Sequence, residues 1–154
     1  MSIDDDIAFL ERVPMLAQLG GSALRILAIG AESYSVNEGE TLFEPGQSAD
    51  CAYVVQRGSF VIQPEAANGI ESIAQAGSLL GESALLIETP RRAAATARED
   101  SIVLRISRAM FVKMLESNPD AAQRLRALLA AHADQLARDF EKVQAILARG
   151  TGPQ

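Results

Sequence analysis

Residues 77–97 read GSLLGESALLIETPRRAAATA, the most informative pattern in the chain. Two glycines and a proline enclose a short apolar turn in which the carboxylate of Glu82 directly follows Gly81, and the cations Arg91 and Arg92 follow the proline. Glycine at position 81 allows the backbone to approach a ligand closely or to take a positive φ. An arginine can neutralise a phosphate and bond it bidentately, whereas a carboxylate accepts hydrogen bonds from sugar hydroxyls. The combination indicates a sugar phosphate as ligand.

Between Tyr34 and Ile106 the sequence is typical of short β-strands separated by turns. The predicted strands are residues 33–36, 41–43, 52–56, 59–63, 70–76, 92–97 and 102–106. Glycines at positions 39, 46, 58 and 69 supply residues that tolerate a positive φ in the intervening turns. Strands at this spacing predict an antiparallel sandwich or roll.

Three shorter motifs accompany the stretch 77–97: Glu-Gly-Glu-Thr-Leu-Phe at 38–43, Pro-Gly at 45–46 and Tyr-Val-Val-Gln-Arg-Gly at 53–58. Together they resemble the cyclic nucleotide-binding domains, as found in the catabolite activator protein and the regulatory subunit of protein kinase A. The stretch 77–97 resembles the phosphate-binding cassette of that family. The resemblance implies a mainly β fold with α: an antiparallel, jelly-roll-like β-roll flanked by N-terminal helices and a long C-terminal helix.

The resemblance also implies a ligand-binding set: Gly81, Glu82, Ser83, Arg91, Arg92 and Ala93. Glu82 is expected to bind the ribose 2′-hydroxyl, and Gly81 and Ser83 to offer backbone N–H groups. The residues from Glu82 onward predict a first helical turn, whose free N–H groups suit an anion. Arg91 is expected to pair with the cyclic phosphate.

Two adjacent arginines leave two candidates for the phosphate partner. Counting forward from Gly81 allows either position, because cassette loops in the family differ by one residue. Counting back from the predicted strand 101–106 favours Arg91, and Arg92 remains the alternative. With Arg91 in this role, Arg92 stands where the family usually has Ala, Ser or Thr.

Both ends of the chain are predicted to be helical. Apolar residues at helical spacing predict a first helix that Pro14 stops and a second with Ser22 as N-cap. Ser107 caps a later helix, and Asn118 precedes a proline that begins another, which continues to about Arg149. Such a helix is roughly 45 Å long and overhangs the domain, so self-association through it is expected, as in the bacterial members of the family.

The chain therefore divides into one domain with four parts. Residues 1–33 form N-terminal helices, 34–106 the roll, 107–149 the C-terminal helices and 150–154 a disordered tail. The long helix also supplies a predicted lid over the nucleotide base. Its candidate residues are His132, Leu136 and Phe140. Because no side chain at the family's base-contacting positions can hydrogen-bond a purine, base identity is expected to be recognised weakly.

Composition excludes several classes of function. The 154 residues are 48% hydrophobic and 22% charged, with a net charge of −6, and residues 107–154 are only mildly basic, with seven cations and five acids. No cluster is dense enough to bind a nucleic-acid backbone. No apolar run indicates a signal peptide or a membrane span, and the single cysteine, Cys51, cannot form an intrachain disulfide. A cytoplasmic protein is expected.

Three functions remain open at this level. The first is a stand-alone, homodimeric receptor that binds a cyclic nucleotide, cyclic AMP in preference to cyclic GMP, and signals to an unknown effector protein. In this mechanism the cassette turn moves inward on the ligand, and Leu85 and Leu86 repack against the helix that follows Ser107. The second is a protein-interaction module of the same fold that has lost the ligand. The third, an enzyme on a similar roll, is disfavoured because a lone histidine makes neither a catalytic set nor a metal site, so no cofactor is expected.

Overall fold

The computed structural model describes residues 3–66 and 68–131. Ten β-strands occupy the centre of this part of the chain. In chain order they are β1 (Glu32–Val36), β2 (Thr41–Phe43), β3 (Ser48–Ala49), β4 (Cys51–Arg57), β5 (Ser59–Pro64), β6 (Ser72–Gln75), β7 (Leu79–Leu80), β8 (Thr89–Pro90), β9 (Ala93–Ala97) and β10 (Ser101–Ser107). The predicted strands are all present within two residues at each end, and the three two-residue strands were not predicted.

The strands form two four-stranded antiparallel sheets and one small ribbon. The first sheet has the order β1-β10-β4-β7, the second has the order β2-β9-β5-β6, and β3 pairs with β8. In the first sheet Val103 lies opposite Val55, and in the second Phe60 lies opposite Ala97. Apolar side chains from both sheets, including these four, meet in one buried cluster between them. The arrangement is the predicted antiparallel roll.

Strands β4 and β5 are joined at Gly58, where only glycine fits. Its φ is +89°, in the left-handed region that side chains disfavour. A Cβ there would also lie 2.7 Å from the Cβ of Ser101 and 2.9 Å from its Cα. The Ser101 hydroxyl in turn accepts a hydrogen bond from the Ser59 N–H at 3.2 Å. This close approach fixes the turn against the start of β10.

The helices are α1 (Ile3–Leu10), α2 (Pro14–Ala17), α3 (Gly21–Gly30), α4 (Arg108–Ser117) and α5, a helix from residue 119 that the structure describes as far as residue 131. A 3₁₀ helix, Glu82–Leu85, lies between β7 and β8. The predicted cap of α4 is confirmed, since the Ser107 hydroxyl accepts a hydrogen bond from the Met110 N–H at 3.2 Å.

Two predictions about the N-terminal helices were wrong. Pro14 does not stop the first helix, which ends at Leu10; it begins α2, where its missing N–H leaves no helical hydrogen bond unmade. Ser22 does not cap α3, because the N-cap is Gly20, with a φ of +93°. The Ser22 hydroxyl instead donates to Oδ1 of Asn118 at 3.0 Å, which joins α3 to the residue between α4 and α5.

A second buried cluster fixes the helices to the first sheet. Its largest members are fully buried side chains of the helices, of β4, of β10 and of the 3₁₀ helix: Leu10, Leu16, Leu24, Leu27, Val54, Leu85, Ile106, Phe111 and Met114. Leu125 of α5, 3% exposed, belongs to the same cluster. The 3₁₀ helix, α4 and α5 therefore share one core.

Several predictions lie outside the described residues: the lid residues His132, Leu136 and Phe140, the continuation of α5 to Arg149, and the tail 150–154. Within residues 3–66 and 68–131, no helix combines the length and apolar character that crossing a membrane requires. In the same residues no group of three or more His, Cys, Asp or Glu side chains could hold a metal ion. The division into four parts stays a prediction.

Candidate functional site

The backbone of Arg91 is fixed by the turn that precedes β3. Its N–H donates to the carbonyl of Gln47 at 2.7 Å, and its carbonyl accepts from the N–H of Gly46 at 2.8 Å. The pairing of β3 with β8, in which Ser48 lies opposite Pro90, continues this contact. Strands β3 and β8, which the sequence did not predict, thus position Arg91.

The Arg91 side chain is buried, with 7% of its surface exposed. Its Nη2 donates to the carbonyl oxygen of Cys51 at 2.8 Å and lies 3.4 Å from the Cys51 Sγ. The guanidinium carbon stands 4.4 Å from the centre of the Phe43 ring and 5.7 Å from that of Tyr53. A cation over an aromatic face is stabilised electrostatically. These contacts hold one side of the guanidinium and fix its plane.

The other terminal nitrogen of Arg91, Nη1, is buried and has no hydrogen-bond partner among the described residues. It lies against Gly81: a Cβ at that position would collide with Nη1 and stand 3.4 Å from the guanidinium carbon. Gly81 has a φ of +74° and a ψ of 37° and directly precedes the 3₁₀ helix. An unpaired buried donor on a cation is costly, so native structures satisfy such groups with a partner. The geometry therefore points to an anion between Arg91 and the cassette turn.

A cavity of about 470 Å³ opens at this point. Its walls come from β2, β3, β5, β6, β7 and the segment 81–93, and they include Gly81, Ser83, Arg91, Arg92 and Ala93. The structure thus brings together five of the six residues predicted to bind ligand. Among the described residues that line the cavity, two are arginines and none is acidic. The cavity is electrostatically suited to an anion.

Glu82 is the predicted site residue that the structure does not bring to this cavity. It is exposed and lines a neighbouring groove of about 620 Å³ together with Ser83. The rest of that groove comes from α2, the end of the cassette turn and α5: Pro14, Met15, Gln18, Leu86, Ile87, Leu125, Leu128 and Leu129. Ser83 lines both the cavity beside Arg91 and this groove, so the 3₁₀ helix that contains Ser83 separates the cavity from the groove.

Arg108, the first residue of α4, links this helix to the cassette. Its Nη1 donates to the carbonyls of Ala49 and Ala84, each at 3.2 Å. Its own N–H donates to the carbonyl of Asp50 at 2.8 Å. Beside it, Leu85 is fully buried in the cluster that includes α4 and α5. The cassette is therefore joined to α4 by both a polar and an apolar contact.

Tyr53 forms part of the wall behind Arg91. Its ring stacks on Phe43, with ring centres 6.1 Å apart and planes inclined by 19°. Partial burial, with a hydrogen bond to Cys51 as the next cause, raises the pKa of the Tyr53 hydroxyl to about 12. Tyr53 is accordingly neutral near pH 7 and adds no negative charge beside Arg91.

A family model for the cyclic nucleotide-binding domain matches residues 34–118, more than half of the chain. The chain belongs to the cyclic nucleotide-binding domain family. The predicted family is thereby confirmed, and so is the fold of antiparallel sheets with helices at both ends. The match includes the strands, the cavity and α4.

Relatives of this cyclic nucleotide-binding domain include a cAMP-dependent protein kinase regulatory subunit of Yarrowia lipolytica, 30% identical over 70% of this chain and 28% of its own length. An NTE family protein of Mycobacterium tuberculosis is 32% identical over 71% of this chain and 19% of its own. The chain thus spans less than a third of the length of these curated relatives.

Solved structures resemble the domain over more of their length. A cyclic nucleotide-binding-like protein from Brucella abortus is 39% identical, with a TM-score of 0.64, over 73% of this chain and 99% of its own. The N-terminal domain of a Streptomyces coelicolor transcriptional regulator has a TM-score of 0.77 at 24% identity, over 86% of this chain and 94% of its own. At that identity the second comparison concerns the fold alone.

The residues that support Arg91 were not predicted to do so. Phe43 and Tyr53 were assigned only to strands, and Cys51 was noted only as a single cysteine without a disulfide partner, yet these three residues make the contacts that orient Arg91. The alternation of side chains along β4 places Cys51 and Tyr53 on one face of the strand, which is a signal in the sequence. This face of β4 contacts Arg91 only because the β3–β8 ribbon positions Arg91 beside it. The two-residue strands of that ribbon are too short to leave a pattern in the sequence.

Proposed function

We propose that this domain is a receptor for a cyclic nucleotide, whose phosphate binds between Arg91 and the cassette turn. The observation that carries the proposal is Nη1 of Arg91, which is buried beside Gly81 and has no hydrogen-bond partner in residues 3–66 and 68–131. A cyclic phosphate placed there accepts the missing hydrogen bond and neutralises a cation that no acidic side chain of the cavity wall opposes. No catalytic group enters this proposal: the domain binds and does not react.

The choice of Arg91 over Arg92 as the phosphate partner rests on burial and orientation. Arg91 is 7% exposed and held by Cys51 and two rings, whereas Arg92 is exposed. A preorganised, desolvated guanidinium loses less conformational entropy on binding than an exposed one. Arg91 is therefore proposed to supply most of the phosphate affinity.

The proposed signal passes from the cassette to the C-terminal helices. A ligand that draws the 3₁₀ helix toward Arg91 pulls on Leu85 in the shared core and on the contact between Ala84 and Arg108. Because α4 and α5 pack on the same buried cluster, they move together with the 3₁₀ helix. The ligand shifts this equilibrium only by its difference in affinity for the two arrangements. Cyclic AMP is the first ligand to test. The proposal also includes that the domain forms a homodimer and that the C-terminal helices signal to an effector protein.

One observation favours a second candidate, a protein-interaction module that binds no nucleotide. Glu82, the proposed ribose ligand, faces the groove along α5 instead of the cavity. Leu86, Ile87 and Leu129 on that side are 36%, 63% and 43% exposed, which is typical of a surface that contacts another protein. Under this alternative the cassette keeps its fold and the exposed groove is the functional surface.

Calorimetric titration with cyclic AMP and cyclic GMP separates the two candidates, with adenosine as a control that lacks the phosphate. The receptor proposal predicts binding of a cyclic nucleotide at micromolar concentration and none of adenosine. Loss of one desolvated charge-assisted contact, about 1.5–3 kcal/mol, predicts that Arg91→Ala weakens binding roughly tenfold or more. No binding by a folded wild-type protein would favour the interaction module. Equal affinity in Arg91→Ala would remove Arg91 from the site.

A further inference from the structure

The second arginine of the cassette, Arg92, has no role in the receptor proposal. It is exposed and lines the same cavity as Arg91. Its carbonyl accepts a hydrogen bond from the Glu65 N–H at 2.9 Å, which fixes its backbone at the edge of β5. In the described part of the chain, Arg105 forms ion pairs with Glu32 and Asp50, whereas no ion pair involves the guanidinium of Arg92.

The cavity therefore holds two cations and, within the described residues, no acidic side chain in its wall. Neither carboxylate of the cassette lines the cavity: Glu82 lies on the groove beyond the 3₁₀ helix, and Glu88 is exposed outside the cavity wall. A cyclic monophosphate carries one negative charge, which the buried Arg91 neutralises. The charge of Arg92 then remains unopposed at the cavity wall, where a second negative charge on the ligand could pair with it.

We propose that Arg92 makes this cavity prefer a nucleotide with at least two negative charges over a singly charged cyclic monophosphate. The proposal rests on the proposed function, because it assumes that the phosphate of a nucleotide lies at Arg91. The shared chemistry is a second anionic oxygen group within reach of Arg92. A terminal phosphate monoester and a cyclic dinucleotide with two phosphodiesters are the two sources of such a group.

The expected effect is moderate because Arg92 is exposed. An ion pair open to solvent is worth about 0.2–1 kcal/mol, which corresponds to a change of up to about fivefold in affinity. The preference also depends on salt: the Debye length falls from about 10 Å at 0.1 M to about 3 Å at 1 M, so the contribution of Arg92 shrinks in concentrated salt. The contribution of the buried Arg91 is screened less.

The test measures the affinities of wild-type protein and Arg92→Gln by calorimetry for three probes. They are cyclic AMP with one charge, linear AMP with a terminal phosphate and cyclic di-AMP with two phosphodiesters. Arg98→Gln is the matched control, because this substitution removes one positive charge, as Arg92→Gln does, from an exposed residue that does not line the cavity. The expected result is tighter binding of at least one doubly charged probe, and a loss of that preference by about 1.5-fold to fivefold in Arg92→Gln but not in Arg98→Gln.

The outcomes separate this inference from the receptor proposal. Binding of cyclic AMP with no preference for either doubly charged probe overturns the role of Arg92 and leaves the receptor proposal intact. Binding of a doubly charged probe without cyclic AMP, lost in Arg92→Gln, supports the role of Arg92 and overturns cyclic AMP as ligand. No binding of any probe overturns both. If both doubly charged probes bind more tightly than cyclic AMP, the cavity recognises the second negative charge itself. If only one of them does, that probe shows whether the second charge comes from a terminal phosphate monoester or from a cyclic dinucleotide.

Discussion

Replacing Gly81 with alanine tests the geometry between the cassette turn and Arg91. The new Cβ would occupy the position next to Nη1 of Arg91, so either the guanidinium or the turn must move. Gly81 also has a φ of +74°, where a residue with a Cβ costs about 1–2 kcal/mol. That strain lowers the stability of the fold. If the displaced Arg91 also loses its charge-assisted contact, ligand binding weakens by about 1.5–3 kcal/mol, which is roughly tenfold to more than a hundredfold in affinity.

Gly77→Ala provides a matched control within the same segment. Gly77 also has a positive φ, +96°, but no atom of the described residues outside its chain neighbours lies within 4 Å of a Cβ placed there. Both variants should therefore unfold about 2–8 °C below the wild type in a thermal melt, because strain of 1–2 kcal/mol shifts a chain of this size by roughly 2–4 °C per kcal/mol. Only Gly81→Ala should lose affinity for a cyclic nucleotide in calorimetry. Equal affinity of the two alanine variants would refute the close contact between Gly81 and Arg91.

Three further predictions concern titration and stability. In a Tyr34→Phe variant, which leaves Tyr53 as the tyrosine that titrates, the ultraviolet absorbance of tyrosinate should rise with its midpoint at about pH 12, because burial raises the pKa of Tyr53 above the ordinary value of 10.0. The contribution of Tyr53 to stability is therefore complete below pH 10 and is lost as the pH rises toward 12, and a midpoint near pH 10 would contradict the burial of Tyr53. Ser107→Ala removes the side-chain acceptor of the Met110 N–H and should lower the free energy of unfolding by about 1 kcal/mol in urea titrations, whereas an unchanged midpoint would deny the cap. Leu85→Ala should cost about 2–5 kcal/mol by the same measurement, since Leu85 is fully buried, and a loss below about 1 kcal/mol would show that the cassette does not share the helical core.

The sequence predicted the elements that depend on local pattern. Alternating apolar residues and glycine turns located strands such as β2, whose bounds Thr41–Phe43 were predicted without error. Ser107 was recognised as a cap because its hydroxyl acts on a neighbouring N–H. The family was recognised from motifs whose spacing the fold fixes, and the cavity contains five of the six residues predicted from them.

Several features that the sequence did not predict are determined only by the folded chain. The two-residue strands are too short to produce a period, and they exist because β3 and β8 are brought together. Ser22 has the residue type of a cap, but its hydroxyl finds a partner in Asn118, 96 residues away. Likewise, the side of the 3₁₀ helix that Glu82 faces depends on how that helix packs between the cavity and α5. None of these contacts is local in sequence.

The central claim is that Nη1 of Arg91, which has no partner within the part of the chain that the structure describes, is the donor for a bound nucleotide's phosphate. A crystal structure of the protein grown with cyclic AMP tests it most directly, because it shows where the phosphate lies. The account predicts a phosphate oxygen about 2.7–2.9 Å from Nη1, with the Nη2 bond to the Cys51 carbonyl retained. A nucleotide bound elsewhere, or in the cavity with Nη1 still unpaired, would contradict it.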